Sequence, residues 1–446
     1  MDQIDGVALD HLVNQYGSPL FVVSERSVRQ RVQLVRSAFE SRYQPFAVAY
    51  SYKTNYLGGI CAIAHQEGAW AEVVSGFEYD IAETLGVRGE HIVFNGPYKR
   101  EAEIVRAAKN GSLLNVDSWD EIRCIAKIGE LKRQKIHVGV RINAQIGETP
   151  WSKFGFNLES GEAWSVCKFI VGSDRIALEG IHLHIGTNIL HPQFYTEAIS
   201  YACTLARKLR DEMGVIINYI DLGGGFGCED ASGIWMEEKD WAVPPIDLYA
   251  EAVCSELSKS VSELGHSPLL IVEPGRFIIA PSVFLLTSVV AKKMRKERIS
   301  LIVDAGVNIL PSAYYLRHKI EPVKTSNKAT ILTDIYGPLC SQFDVLRTDV
   351  EMPDLERGDI LVVHTAGAYT ISNSMQFSQP RPAVVLINDG QADYLLFPEQ
   401  TKDIRSLEQV PPRLLAQRPM GMDERGRNRT DDAGMTKTTA EPNQDP

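Results

Sequence analysis

Between about residues 46 and 275, short apolar runs of strand character alternate with longer stretches of helical period. Eight runs recur: AVAYSY (47–52), AWAEVV (69–74), HIVFN (91–95), SLLNV (112–116), IHVGVRI (136–142), IALEGIHLHI (176–185), VIINYIDL (215–222) and LLIVE (269–273). Strands that alternate with helices pair in parallel through crossover connections, and eight such units close a (β/α)8 TIM barrel. An open doubly wound sheet is the alternative arrangement of the same pattern. After Arg276 the helical stretches stop, and FIIAPSVFLLTSVVAKKM, ISLIVDAGV, KATILTDIYG, GDILVVHTAGAYTI and PAVVLIND read as strands of a second, all-β domain. PLFVVS (19–24) precedes the first barrel run and is expected to join that domain as a strand. From about Ala416 the chain is polar and aperiodic, which predicts a disordered tail. The expected organisation is an N-terminal segment over 1–24, a barrel over 25–275, a C-terminal β domain over 276–415 and a tail over 416–446.

A chain of 446 residues can bury more than one core. Its formal charge of −11 is spread over mixed-sign segments, which argues against nucleic acid, because phosphate binding needs a concentrated basic face. No run approaches the ~20 apolar residues of a membrane span, and the start, MDQIDGVALDHL, has neither a basic leader nor an apolar stretch. A soluble, cytoplasmic protein is expected. The seven cysteines contain no CxxC pair, so neither a disulfide framework nor a metal site is expected, and most read as buried thiols.

In such a barrel, functional groups gather where strands end and βα-loops begin. Those ends carry Lys53, Glu72 and Ser75, Asn95, Arg141, His184 and Thr187, Gly223 to Gly225, and Glu273. A lysine, an imidazole, a glycine nest and a carboxylate would thus meet on one face. Lys53 emerges from an apolar strand into a low-dielectric mouth, which favours the neutral amine that condenses with a carbonyl. It also suits the start of the helix in TNYLGGICAIAHQEG. DLGGGFG (221–227) offers successive backbone N–H groups with no Cβ in the way of a phosphate, or serves only as a turn. It is not a dinucleotide fingerprint, because GxGxxG from Gly223 needs a glycine where the chain has Cys228. Glu273, ahead of Pro274 and Gly275, can keep a pyridine nitrogen protonated or pair locally with Arg276. His184 can cover a cofactor ring or be a satisfied buried histidine.

Six motifs carry a family resemblance: YSYKTN at Lys53, HLHIGT at His184, DLGGGFG, EPGR at 273–276, GPLCSQFD at 337–344 and GAYT at 367–370. Over about residues 10 to 400 the chain resembles the fold-type III pyridoxal-phosphate decarboxylases, the family of diaminopimelate, ornithine and arginine decarboxylases. The resemblance implies pyridoxal 5′-phosphate as cofactor, Lys53 as its Schiff-base lysine and His184 stacked on its ring. It places Gly223, Gly224, Gly225, Gly275 and Arg276 around the phosphate, with Thr187 and Tyr369 as further contacts, and Glu273 on the ring nitrogen. Arg276, Tyr315, Ser341 and Tyr369 fall about the substrate. Cys340, in the GPxC motif, is implied to enter from the partner subunit of an obligate homodimer and to return a proton to Cα after CO2 leaves. Taken alone, that cysteine also reads as a buried thiol. A racemase on the same barrel uses a tyrosine as second base and lacks GPxC, and a non-catalytic relative would have lost Lys53 or Cys340.

Two positions depart from the diaminopimelate pattern. Where those enzymes carry a glutamate directly after the motif cysteine, this chain has Ser341, and an arginine that grips the far carboxylate is replaced near Leu310 and Pro311. Losing two charged contacts costs about 1.5–3 kcal/mol each. The form GPLCSQFDVL accordingly looks closer to members serving siderophore or antibiotic assembly, acting on an amino acid joined to citrate or to a carrier protein. On that expectation diaminopimelate is a poor substrate, and lysine biosynthesis is the alternative.

Overall fold

The computed structural model describes residues 1–147, 151–228, 231–233, 242–295, 298–324 and 329–414. Strand β1 (Leu20–Ser24) stands apart from the eight that follow it: β2 (Phe46–Ser51), β3 (Trp70–Val73), β4 (Ile92–Phe94), β5 (Leu113–Val116), β6 (Ile136–Asn143), β7 (Ile176–His182), β8 (Tyr219–Asp221) and β9 (Leu269–Val272). Each pairs in parallel with the next, and β9 returns to β2 with Leu270 opposite Phe46, so the sheet closes into a barrel. The open-sheet alternative is thereby excluded.

A helix separates each barrel strand from the next, and the helix Glu25–Glu40, which precedes β2, packs between the helices Gly58–Gln66 and Ile246–Leu264 to complete the outer ring. Local sequence sets several of the helix starts. The hydroxyls of Ser24, Ser75 and Ser118 accept from the backbone N–H three residues on, at 3.0, 3.3 and 3.3 Å, and so satisfy donors that a first helical turn leaves unpaired. Apolar side chains from the helices and strands form one continuous core that also runs under the second sheet.

That second sheet is built from β10 (Val283–Arg295), β11 (Arg298–Val303), β12 (Thr330–Tyr336), β13 (Val345–Pro353), β14 (Ile360–Val363), β15 (Ala383–Asn388) and β16 (Gln391–Leu396). Its order is β13-β12-β11-β10-β1-β15-β16, with β14 paired to β10. The N-terminal strand therefore lies inside the sheet, antiparallel to β10 and parallel to β15. The run beginning FIIAPS is not strand from its start: Pro274 and Gly275 break the chain, Arg276–Ile279 forms a helical turn, and β10 begins at Val283. Strands β13 and β16 had no clear signature because Arg347, Asp349 and Glu351, or Asp393, interrupt their apolar positions on the exposed edges. Residues 401–414 form a separate unit holding a short helix, Thr401–Ile404, and a turn at Pro412–Leu414. The tail expected from residue 416 lies outside the described residues. Among the described residues, no helix is long and apolar enough to cross a membrane.

Candidate active site

The carboxyl ends of the barrel strands surround a cavity of about 570 Å³, within the range of small-ligand sites. Lys53, His184, Thr187 and Glu273 line it, as do Gly224, Gly225, Gly275, Arg276, Tyr315 and Tyr369. Gly223 is set just behind, where a Cβ would fall 2.4 Å from Nδ1 of His184. Cys340 and Ser341 lie outside this lining, and Cys340 is an exposed thiol rather than a buried one.

Lys53 sits in the turn Tyr52–Thr54 that ends β2, and its Nζ is 2.6 Å from Oε2 of Glu72 on β3. The expectation of a neutral amine is corrected here: burial disfavours the ammonium, but the carboxylates of Glu72 and Glu273 outweigh it and hold Lys53 above its ordinary range. Glu72 is itself held below the usual carboxylate range, because Lys53, Ser51 and Asn95 together overcome its desolvation. Two inward-facing asparagines extend the network. Asn95 donates to Glu72 at 3.1 Å and to Oε1 of Glu273 at 2.5 Å, Asn115 donates to Asn95 at 2.8 Å, and Tyr219 donates to Asn115 at 2.8 Å. Glu273 directly follows β9, is almost fully buried, and is pushed well up by desolvation and by the neighbouring carboxyls of Asp221 and Glu72.

His184 follows the end of β7, and its Nδ1 accepts from the backbone N–H of Gly224 at 3.1 Å, which leaves the proton on Nε2. Desolvation, with Arg141 and Lys53 nearby, keeps this imidazole neutral well below its usual range. Trp151 meets it edge-on, with ring centroids 5.3 Å apart. Arg141 reaches Asp117 at 3.5 Å and covers the ring of Phe154 at 4.4 Å.

The cradle fits a phosphorylated pyridine aldehyde. A Cβ at Gly224 would fall 2.2 Å from the carbonyl oxygen of Glu273, and one at Gly275 would fall 2.3 Å from Thr54. Gly225 has φ +93°, and a side chain there would also meet the carbonyl of Gly186. The backbone thus comes close to the cavity with no side chain between. Beside it Arg276 is buried with its Nε unpartnered, and its guanidinium lies 5.1 Å from the ring of Tyr369. Tyr369 holds a left-handed φ of 58° and donates its N–H to Thr54 at 2.9 Å, a strained backbone placed at the site. A cation with a free donor, backbone amides, an amine and a buried carboxyl supply what the phosphate, aldehyde and ring nitrogen require.

Reading the strand ends leaves out His182 and Asp221, which the structure buries beside Glu273. Both had a readable signal: His182 shares the strand face of His184 two residues on, and Asp221 ends β8 immediately before the glycine run.

Residues 25–280 match the family model for the pyridoxal-binding domain of pyridoxal-dependent decarboxylases. A diaminopimelate decarboxylase of Aquifex aeolicus is 32% identical over 398 residues, covering 87% of this chain and 90% of that protein. The structure of a diaminopimelate decarboxylase from M. jannaschii in complex with L-lysine superposes with a TM-score of 0.86 at 29% identity, covering 93% of this chain and 97% of that one. A lysine/ornithine decarboxylase from Vibrio vulnificus shares the fold, with a TM-score of 0.73 at 23% identity, covering 85% and 97% of the two chains. These findings overturn the expectation of a siderophore or antibiotic pathway, since the near full-length relatives carry the diaminopimelate name. Leu310, Pro311 and Ser341, the positions that depart from the diaminopimelate pattern, lie outside the cavity lining of their own chain. Nothing found supports a carrier-protein partner.

Proposed function

The chain belongs to the pyridoxal-dependent decarboxylase family and is a pyridoxal-phosphate-dependent amino-acid decarboxylase; from that premise we propose that it converts diaminopimelate to lysine. The observation that carries this reading is the single cavity that joins Lys53, Glu273 and Arg276, together with the names of the near full-length relatives.

When bound, pyridoxal phosphate supplies an electron sink for the pair left behind as the carboxylate departs. Lys53 presents the amine that anchors its aldehyde, and Glu72 holds a proton on that amine until it is needed. Glu273 would pair with the ring nitrogen, and His184 would cover the ring. The N–H groups of Gly223 and Gly224 are taken by Asp221 and His184, so Gly225 and Gly275, with Arg276, Thr187 and Tyr369, would hold the phosphate end. Arg276, Tyr315 and Tyr369 orient the substrate, while Lys153 and Asn373 line the same cavity and are available to its far end. Loss of the α-carboxylate as CO2 leaves Cα one proton short, and the thiol of Cys340 returns it.

Because Cys340 lies outside the cavity of its own chain, we assign that proton to the partner subunit of a homodimer, with Ser341 carried in on the same loop. Support comes from Phe343, which leaves a large apolar ring 75% exposed three residues from Cys340. The substrate reading is tested by incubating the holoenzyme with meso-diaminopimelate, ornithine, lysine and arginine and following CO2 and products. Lysine with equimolar CO2 from diaminopimelate, at least tenfold faster than any other substrate, is expected. Epimerised diaminopimelate without CO2, or faster release from another amino acid, contradicts it.

A further inference from the structure

Two buried groups beside Glu273, His182 and Asp221, have no part in the chemistry described above. His182 ends β7, Asp221 ends β8 and Glu273 follows β9, and one ligand atom from each lies within 4.8 Å of the others. All three side chains are almost wholly inaccessible. Both ring nitrogens of His182 and Oδ2 of Asp221 have no hydrogen-bond partner. A metal ion is one occupant such a trio suggests, but Lys53 and Arg141 already bring two cations against its two carboxyls. A proton fits better.

The geometry around Asp221 is one-sided. Its Oδ1 accepts from the backbone N–H of Gly223 at 2.9 Å, while Oδ2 is free to carry hydrogen. Glu273 is fixed from two sides: its N–H bonds to the carbonyl of Gly223 at 2.8 Å, and its Oε1 accepts from Asn95 at 2.5 Å. Two buried carboxyls this close cannot both ionise at modest cost. We infer that Asp221 is a positioning residue that carries the proton the pair shares and donates it to Glu273, so that Glu273 faces the cofactor nitrogen as an oriented carboxylate. The inference rests on the assignment of Glu273 to that nitrogen.

Around Asp221 stand Glu72 on β3, Lys53 after β2, Arg141 on β6, His182 at the end of β7 and Tyr219 on β8. Desolvation pushes Asp221 up to about 7, against the contact with Glu273, the N–H of Gly223 and Lys53, with Glu72 adding to the rise. Glu273 is raised well above its ordinary range, so without a positive charge at the ring nitrogen the shared proton lies on Glu273. Neutral His182 and His184 add no charge. With the ring nitrogen carrying a positive charge beside Glu273, the shared proton settles on the other carboxyl.

The test compares Asp221→Asn, Asp221→Ala and Glu273→Gln, measuring the affinity of each apoenzyme for pyridoxal phosphate and the pH dependence of the bound cofactor's absorbance. Asparagine keeps a donor toward Glu273, so Asp221→Asn is expected to bind the cofactor within about threefold of wild type, with an unchanged pH profile. Asp221→Ala is expected to bind at least tenfold more weakly, which is about 1.4 kcal/mol or more, and to lose the protonated-ring absorbance at lower pH. Asn behaving as badly as Ala would overturn the donor role. Should Ala not fold, the infrared difference between wild-type holoenzyme and Asp221→Asn at neutral pH decides: a protonated-carboxyl band that vanishes in the variant is expected, and its absence in wild type overturns the inference. Glu273→Gln separates the two claims. If it leaves affinity and spectrum unchanged, the assignment of Glu273 fails; if it damages both while Asp221→Ala does not, only the role of Asp221 fails.

Discussion

Asp344 shows how much one side chain can hold. It is buried, its Oδ1 accepts from the N–H of Val307 at 2.8 Å, and its Oδ2 accepts from the N–H of Leu339 at 2.7 Å, one residue before Cys340. Its carboxyl thus fixes the loop that carries the thiol. Asp344→Ala leaves two donors unsatisfied, at about 1–3 kcal/mol each. Faster hydrogen exchange at Val307 and Leu339 and faster alkylation of Cys340 are expected, with kcat falling more than KM rises; unchanged exchange at both amides contradicts this account of the loop. Asp344 appears in the sequence only as the end of GPLCSQFD, and nothing there announces its burial. Lys53, Glu273 and the glycines were legible because they stand where a strand run stops and Gly or Pro interrupts the chain. His182 and Asp221 carried a weaker signal, position beside His184 and before the glycine run, which is easily passed over because an inward-facing polar residue within a short apolar run looks like a lapse in the pattern.

Elements show the same division. The barrel strands were readable because burial on both faces makes their runs nearly continuous, and their limits shifted by only a residue or two except at β7 and β8, which are shorter than the runs that predicted them. The exposed edge strands escaped because charge and apolarity alternate irregularly along them. The helix Gly76–Thr84, which connects β3 to β4, carries a testable pH dependence. Glu78 in its first turn accepts from the N–H of Val74 at 2.7 Å, while desolvation pushes its carboxyl up to about 7. The bond to Val74 opposes that rise, and nearby Glu72 adds to it. Below about pH 4.5 the folded and unfolded chains both hold this proton. As pH rises toward 7 the unfolded chain releases it first, so the folded state loses stability across that window and no further above it. At about 1.4 kcal/mol per pH unit the loss approaches 3 kcal/mol. Glu78→Gln removes the ionisation, and urea denaturation at pH 5 and pH 7.5 is expected to show the variant losing about 2–3 kcal/mol less than wild type. Equal losses in both proteins contradict the assignment.

At the scale of the whole molecule, the barrel supplies the cavity and the second sheet supplies the loop of Cys340, yet the two do not meet within one chain. Complementation between chains follows. Mixing Lys53→Ala with Cys340→Ala under conditions of subunit exchange is expected to restore activity, because one hybrid site in each dimer then has both groups intact. The theoretical ceiling is a quarter of wild-type activity for random pairing. Demonstrated exchange with no recovery contradicts a shared site. Lys53, the anchor of the cofactor, is the residue around which the roles of Glu72, Glu273, Arg276 and Asp221 are arranged. Borohydride reduction of the holoenzyme followed by peptide mapping tests this most directly. A pyridoxyl adduct on Lys53, in the peptide containing YSYKTN, is expected; an adduct on Lys99, Lys153 or any other lysine would contradict the assignment.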